Sequence, residues 1–248
     1  MKKSILLASI IATAMFAGSS VAKADDADVR SHSLGVRLGY YQPLHDYLGW
    51  DGGALEVEYR GIFNRWFGAS VMTSFAGAFS DETIESDDDD SAVRFGVWND
   101  YDDEEDVDKT YTEFQLVGML QFYPVNTDTL KFYFTAGGFY SYAQLDIETD
   151  HGRSHTDTTY DGDGFGFICG IGFEVSSDIF RLRLEADALS ELSYDDGETR
   201  KIPDEELQAM VRGELGFFVS DKLSIDVAAR YFTEWKDLYV TIGGTFTF

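Results

Sequence analysis

The sequence predicts an all-β fold, a closed antiparallel transmembrane β-barrel of ten strands, with eight strands as the alternative. Segment after segment alternates apolar and polar residues with the period of two that is typical of a strand with one apolar face. The apolar faces chosen in this way contain no charged residue, although 26% of the chain is charged. Beyond the amino-terminal region, no apolar run reaches the roughly 18 residues of a membrane helix. Strands are therefore the remaining means of crossing a bilayer.

The last strand, Leu238–Phe248, shows this alternation most clearly. Its even positions are apolar except for Gly244, and its odd positions are polar or small. We expect the even positions to face lipid and Tyr239, Thr241 and Thr245 to line the lumen.

The amino terminus has the features of a secretory signal. Lys2 and Lys3 form a basic start, Ile5–Gly18 is apolar, and Ala22–Ala24 offers small residues for cleavage. We predict a signal peptide over residues 1–24 and an outer-membrane β-barrel domain over residues 25–248, with cleavage after Ala22 as the alternative.

The connections between the predicted strands differ in length. Those after strands two, four, six and eight are short, whereas those after strands one, three, five and seven are longer and acidic. Three acidic loops are predicted, over Asp81–Lys109, Asp146–Gly162 and about Ser193–Glu205, the first with a hairpin arm at Ala92–Trp98. Short turns at one end and long loops at the other are typical of outer-membrane barrels.

Two aromatic and Gly-rich strands, Tyr133–Phe139 and Gly166–Phe173, together with the signal peptide and the aromatic terminus, carry a family resemblance. The chain resembles the small outer-membrane β-barrel proteins of Gram-negative bacteria, the OmpA/OmpX-like group. The resemblance implies the cell outer membrane as location, and outer-membrane lipid and lipopolysaccharide as partners. It also implies that Phe246 and Phe248 form a signal for the barrel assembly machinery. Its loose motifs specify architecture and location rather than activity.

Charged residues of both signs occupy the faces predicted to point inward. Unpaired charges are costly in a narrow lumen, so we expect ion pairs that fill it. This predicts a structural or surface-interaction protein with a closed lumen, and a small passive pore lined by the same residues is the alternative. The predicted network comprises Arg37, Glu56, Glu58, Arg60, Glu113, Arg181, Arg183, Glu185, Asp187, Arg212, Glu214, Asp226 and Arg230.

The formal net charge of −26 argues against a nucleic-acid partner, because phosphates would be repelled. The acidic runs Asp87–Asp90 and Asp102–Glu105 supply hard oxygen atoms, so divalent cations are candidate partners of the loops. Neither run has the spacing of a calcium-binding loop, and a solvated acidic face is the default interpretation. We predict no cofactor and no metal site.

Candidate catalytic groups are few. His45 with Asp46, and His151 with Asp150, are neighbours in sequence, which leaves a hydrolase at the barrel rim as a third alternative. Omptin proteases place paired acids and an Asp–His couple at such a rim, but no omptin-like motif surrounds these residues. His155 follows His151 by four positions, a spacing without fixed geometry in a loop. We therefore predict that the chain is not an enzyme.

Overall fold

The computed structural model describes residues 31–43, 51–84, 105–151, 154–196, 207–233 and 237–248. These residues form ten strands, which confirms the predicted number over the alternative of eight. Within these ranges, no helix is long and apolar enough to cross a membrane. The strands are β1 (Ser31–Pro43), β2 (Asp51–Ile62), β3 (Phe67–Ile84), β4 (Glu105–Asn126), β5 (Leu130–His151), β6 (Ser154–Ser176), β7 (Phe180–Asp196), β8 (Leu207–Ser220), β9 (Leu223–Phe232) and β10 (Asp237–Thr247).

The sheet is a closed antiparallel barrel. Each strand pairs with the next one in sequence, and β10 pairs with β1. Paired residues can be followed from strand to strand around the barrel, starting at Arg37 on β1. Through β2, β3, β4 and β5 they lead to Gly164 on β6, and through β10, β9, β8 and β7 they lead to Ser176 on the same strand. This offset of 12 residues shows that the strands are tilted, as barrel closure requires.

The outward face is an apolar belt. Its large side chains are exposed, for example Leu38 at 62%, Phe167 at 63% and Ile242 at 58%. On β5 the outward face is the one that includes Phe134. The outward positions that carry charges, such as Asp163 on β6 and Glu148 on β5, lie toward the end opposite the short turns, and in the described strands the belt below them carries none. A belt of this size and composition requires a hydrocarbon environment.

Short turns gather at one end of the barrel, together with Ser31 at the start of β1 and Phe248. At the opposite end the strands differ in length. There β4, β5 and β6, with 22, 22 and 23 residues, extend well beyond β9 and β10, which have 10 and 11 residues.

The predicted polar loop over Asp146–Gly162 is wrong, because this stretch is a β-hairpin. β5 continues to His151 and β6 begins at Ser154, with Asp146 paired to Thr159 and Glu148 to Asp157. Beyond the membrane a strand can carry polar residues on both faces, so its composition is that of a loop. The threonines of this stretch nevertheless favour a strand.

The other two predicted acidic loops are shorter than expected. Asp81–Ile84 pairs with residues 105–108, so the ends of the predicted loop Asp81–Lys109 belong to β3 and β4. Likewise β7 continues to Asp196, past the predicted loop start at Ser193. The signal peptide, Asp87–Asp90, Ala92–Trp98, residues 102–104 and the His45–Asp46 pair lie outside the described residues.

Candidate functional site in the lumen

Three arginines share two glutamates in the middle of the lumen. The Nη2 atoms of Arg183 and Arg212 lie 2.8 and 2.7 Å from Glu58 Oε2, and Arg37 Nη2 lies 2.7 Å from Glu214 Oε2. All five side chains belong to residues that are at most 4% exposed. Because Glu58 belongs to β2 and its partners to β1, β7 and β8, the cluster spans the lumen.

A second charged group lies toward the short turns. Arg60 Nη1 and Nη2 lie 3.2 Å from Glu174 Oε2 and 2.7 Å from Glu185 Oε1. The hydroxyl of Tyr133 donates to Glu185 at 2.6 Å, and Lys131 Nζ contacts Glu174 at 2.5 Å. This group joins β2 to β5, β6 and β7.

Arg181 extends the central cluster toward β9. Its Nη2 atom lies 2.9 Å from Glu214 Oε1 and 3.4 Å from Asp226 Oδ1. The hydroxyl of Ser224 donates to the same Asp226 oxygen at 2.8 Å.

Glu113 occupies the lumen nearer the tall end. Its Oε2 atom accepts hydrogen bonds from the hydroxyls of Tyr41 at 3.0 Å and Tyr239 at 3.1 Å, and Gln115 donates to Oε1 at 2.6 Å. Tyr41 and Tyr239 belong to β1 and β10, so these bonds link the closing seam of the barrel to β4.

Arg230 also crosses the lumen. Its guanidinium lies 4.1 Å from the ring centroid of Tyr239, a cation–π distance, and its Nη2 atom donates to Ser74 Oγ on β3 at 3.0 Å.

An apolar cluster fills much of the remaining lumen, which the sequence interpretation missed. Its members occupy inward positions between polar or small residues. Ile168, for example, lies among the glycines of β6. The sequence does contain a signal for this cluster, since some strands have apolar residues at both their even and their odd positions. The buried cluster includes Met72, Val117, Met119, Phe139, Ile168, Leu189, Met210 and Phe232.

The predicted network residues all point into the lumen, but their partners differ. Glu56 Oε1 lies 3.7 Å from Arg212 Nη2, which is too long for a hydrogen bond. Asp187 accepts a hydrogen bond from Thr135 at 2.7 Å. Glu113 and Arg230 make the hydroxyl, amide and ring contacts described above. The ion pairs join Arg37, Glu56, Glu58, Arg60, Arg181, Arg183, Glu185, Arg212, Glu214 and Asp226.

Lys131 and Glu174 are further members of the network that the sequence interpretation missed. Lys131 directly precedes Phe132 near the start of β5, and Glu174 directly follows Phe173 near the end of β6. The same alternation, extended by one residue, would have found both.

Two lumen glycines make room for network side chains. A Cβ atom at Gly172 would lie 2.1 Å from the Tyr133 ring, and one at Gly216 would lie 2.3 Å from Asp226 Oδ1. The lumen is therefore packed closely enough that single methyl groups are excluded.

The predicted assembly signal lies on the outward face beside the closing seam. The rings of Phe246 and Phe248 stack at 6.1 Å, and Phe248 stacks on His32 at 6.0 Å. The Phe248 N–H donates to the His32 carbonyl at 2.9 Å, and the Tyr59 hydroxyl lies 2.7 Å from His32 Nδ1. The role of Phe246 and Phe248 in assembly stays a prediction.

The predicted rim residues Asp150 and His151 end β5, in register with His155 and Ser154. In the parts of the chain that the structure describes, no three His, Cys, Asp or Glu residues form a group that could hold a metal ion.

Because the barrel is closed, the backbone of every strand is hydrogen-bonded to a neighbour on both sides. The outside of the barrel is an uncharged apolar belt, and charged side chains lie in the lumen. This combination is the one that suits a bilayer crossed by strands. The chain has the fold of a small outer-membrane β-barrel protein.

Solved outer-membrane barrels are similar to this chain in fold. Ail of Yersinia pestis, in complex with the heparin analogue sucrose octasulfate, is 13% identical, with 88% of this chain and 97% of Ail covered and a TM-score of 0.38. The outer membrane protease OmpT of Escherichia coli is 7% identical, with 92% and 99% covered and a TM-score of 0.46. The translocator domain of the autotransporter NalP of Neisseria meningitidis is 11% identical, with 99% and 97% covered and a TM-score of 0.46.

No protein-family model matches the sequence, and neither does any curated protein. The sequence identities and TM-scores of these three structures are low, so the similarities assign no role to this barrel.

Proposed function

We propose that this outer-membrane barrel does not conduct, and that it acts as a structural or surface-interaction protein through its extracellular end. The observation that supports this is the set of contacts between opposite walls. Glu58 on β2 binds Arg183 and Arg212 on β7 and β8, and Arg230 on β9 binds Ser74 on β3. These side chains occupy the path that an ion would take.

The energy of these contacts favours a closed lumen over a passive pore. Removing one partner from a buried ion pair costs about 3–5 kcal/mol, because it leaves an uncompensated buried charge. Several such pairs would have to separate to open a path, and the apolar cluster around Phe139 and Ile168 would have to be displaced as well. We therefore place the function outside the lumen.

The tall hairpins supply the surface. Asp108, Glu148 and Asp157 are exposed and lie directly opposite one another on β4, β5 and β6. Like charges in register repel each other, so this row attracts cations. We propose cationic partners for this face, including divalent cations that would link it to anionic lipopolysaccharide.

Planar bilayer recordings test the closed lumen. Full-length processed protein is delivered in fusing vesicles, and its folded content is measured by gel migration before and after boiling. We expect no steady current beyond that of vesicles without protein. A steady and reproducible current at the same folded content would contradict the proposal and favour the passive pore.

A hydrolysis assay tests the non-enzymatic part. We expect the reconstituted barrel to hydrolyse peptide and lipid substrates no faster than empty vesicles do. Hydrolysis by the parent that is lost in an H45A/H151A variant would favour the rim hydrolase instead.

A further inference from the structure

The turn between β2 and β3, residues 63–66, is held firmly at the end of the barrel that carries the short turns. Asn64 Oδ1 accepts hydrogen bonds from the N–H groups of Trp66 at 2.8 Å and Phe67 at 3.0 Å. Asn126 Nδ2, at the end of β4, donates to the Arg65 carbonyl at 3.1 Å. The positions of Arg65 and Trp66 are thus fixed by three hydrogen bonds.

Arg65 lies above an aromatic cluster on the outward face. Its guanidinium carbon lies 5.2 Å from the Trp66 ring centroid, and Trp66 stacks on Phe122 at 6.1 Å with 13° between the ring planes. The Phe67 ring lies 5.7 Å from the same Phe122 ring. Aromatic rings at the edge of an apolar belt lie at the level of the lipid headgroups.

The β2–β3 turn also differs in charge from its neighbours. The other three described turns at this end each carry an aspartate, Asp128, Asp178 or Asp221, whereas residues 63–66 include none. Among the described residues, no carboxylate forms an ion pair with Arg65, whose side chain contacts the Trp66 ring. The guanidinium thus keeps its hydrogen-bond donors for an anion.

We propose that Arg65, supported by Trp66, binds the phosphate diester of a phospholipid in the inner leaflet of the outer membrane. A guanidinium presents two parallel N–H groups to phosphate oxygens, and it can stack on an aromatic ring at the same time. The acyl chains of the lipid then follow the apolar belt below Phe67 and Phe122. The site lies outside the lumen, so it holds whether or not the barrel conducts.

Native mass spectrometry of the full-length barrel in non-ionic detergent tests this site, with phosphatidylglycerol as the probe. We expect R65Q to weaken binding of the first lipid about tenfold, the effect of one charge-assisted contact. R65K should fall between the two, because lysine keeps the charge and loses the planar fork. K222Q, which removes a cation from the Asp221–Lys222 turn at the same end, is the matched control and should bind as the parent does.

Four outcomes would overturn the proposal. The first is equal retention of phosphatidylglycerol by R65Q and the parent, and the second is an equal loss in K222Q, which would indicate non-specific charge. The third is equal binding of a diacylglycerol with the same chains, which lacks phosphate. Competition by inorganic phosphate at the concentration of the lipid would show a site for a free anion and would also overturn the lipid assignment.

Discussion

At the scale of single residues, Glu58 is the acceptor on which the central charges converge. Its carboxylate contacts Arg37, Arg183 and Arg212, all of them buried. Glu58→Gln keeps the size of the side chain and leaves those cations short of a negative charge. We expect the free energy of unfolding to fall by about 3–5 kcal/mol, measured by urea unfolding in lipid vesicles.

Glu56→Gln is the control for Glu58→Gln. Glu56 is equally buried on the same strand, but its Oε1 atom lies 3.7 Å from Arg212 and has no hydrogen-bond partner. We expect a loss of about 1 kcal/mol. Equal losses in the two variants would mean that burial of a carboxylate, and not its convergence with three arginines, determines the effect.

Gly172 tests the packing of the lumen. In Gly172→Ala the new methyl group would meet the Tyr133 ring at 2.1 Å and push it away from Arg60 and Glu185. Overpacking of this kind costs about 1–3 kcal/mol, measurable by the same unfolding experiment. Gly118→Ala, on the lipid face with nothing within 4 Å, should be neutral, and an equal loss there would contradict the packing argument.

At the scale of elements, the sequence predicts faces better than strand ends. Alternation with a charge-free outward side is enough to orient Leu184 or Val211, because lipid excludes the charged opposite faces of their strands. It cannot show that Glu148 and Asp157 pair, since water accepts both faces of a strand above the membrane. Nor does alternation show which charges meet, because that depends on the offset with which the barrel closes.

The hairpin of β5 and β6 above the membrane should be dispensable for the barrel. Asp146–Thr159 can be replaced by an Asn-Gly turn that joins Leu145 to Tyr160, which are paired in register. Because exposed Glu148 and Asp157 contribute no core packing, we expect the melting temperature to change by less than about 4 °C.

A deeper deletion provides the control for the hairpin variant. Extending it to Phe139 and Gly166, a paired position inside the apolar cluster, should prevent refolding. Failure of the shorter deletion to fold would show instead that the tall hairpin stabilises the barrel.

At the scale of the whole molecule, closure leaves no free edge from which the sheet can unravel. Removing any strand of the described barrel breaks two ladders of hydrogen bonds at once. Unboiled protein in a detergent gel should therefore migrate differently from boiled protein. Identical migration, together with solubility in detergent-free buffer, would contradict a membrane barrel and indicate a soluble sandwich.

The ion pairs across the lumen also determine when the barrel can lose its internal water. Arg212 and Glu58 are 154 positions apart in the chain, and Arg37 and Glu214 are 177 apart. The first strands thus carry charges whose main partners arrive only with β7 and β8. Contacts between such distant positions form late in folding, because the intervening chain must be ordered first. Until then water has to solvate Glu58 and Arg37, so drying of the lumen is a closing step of folding.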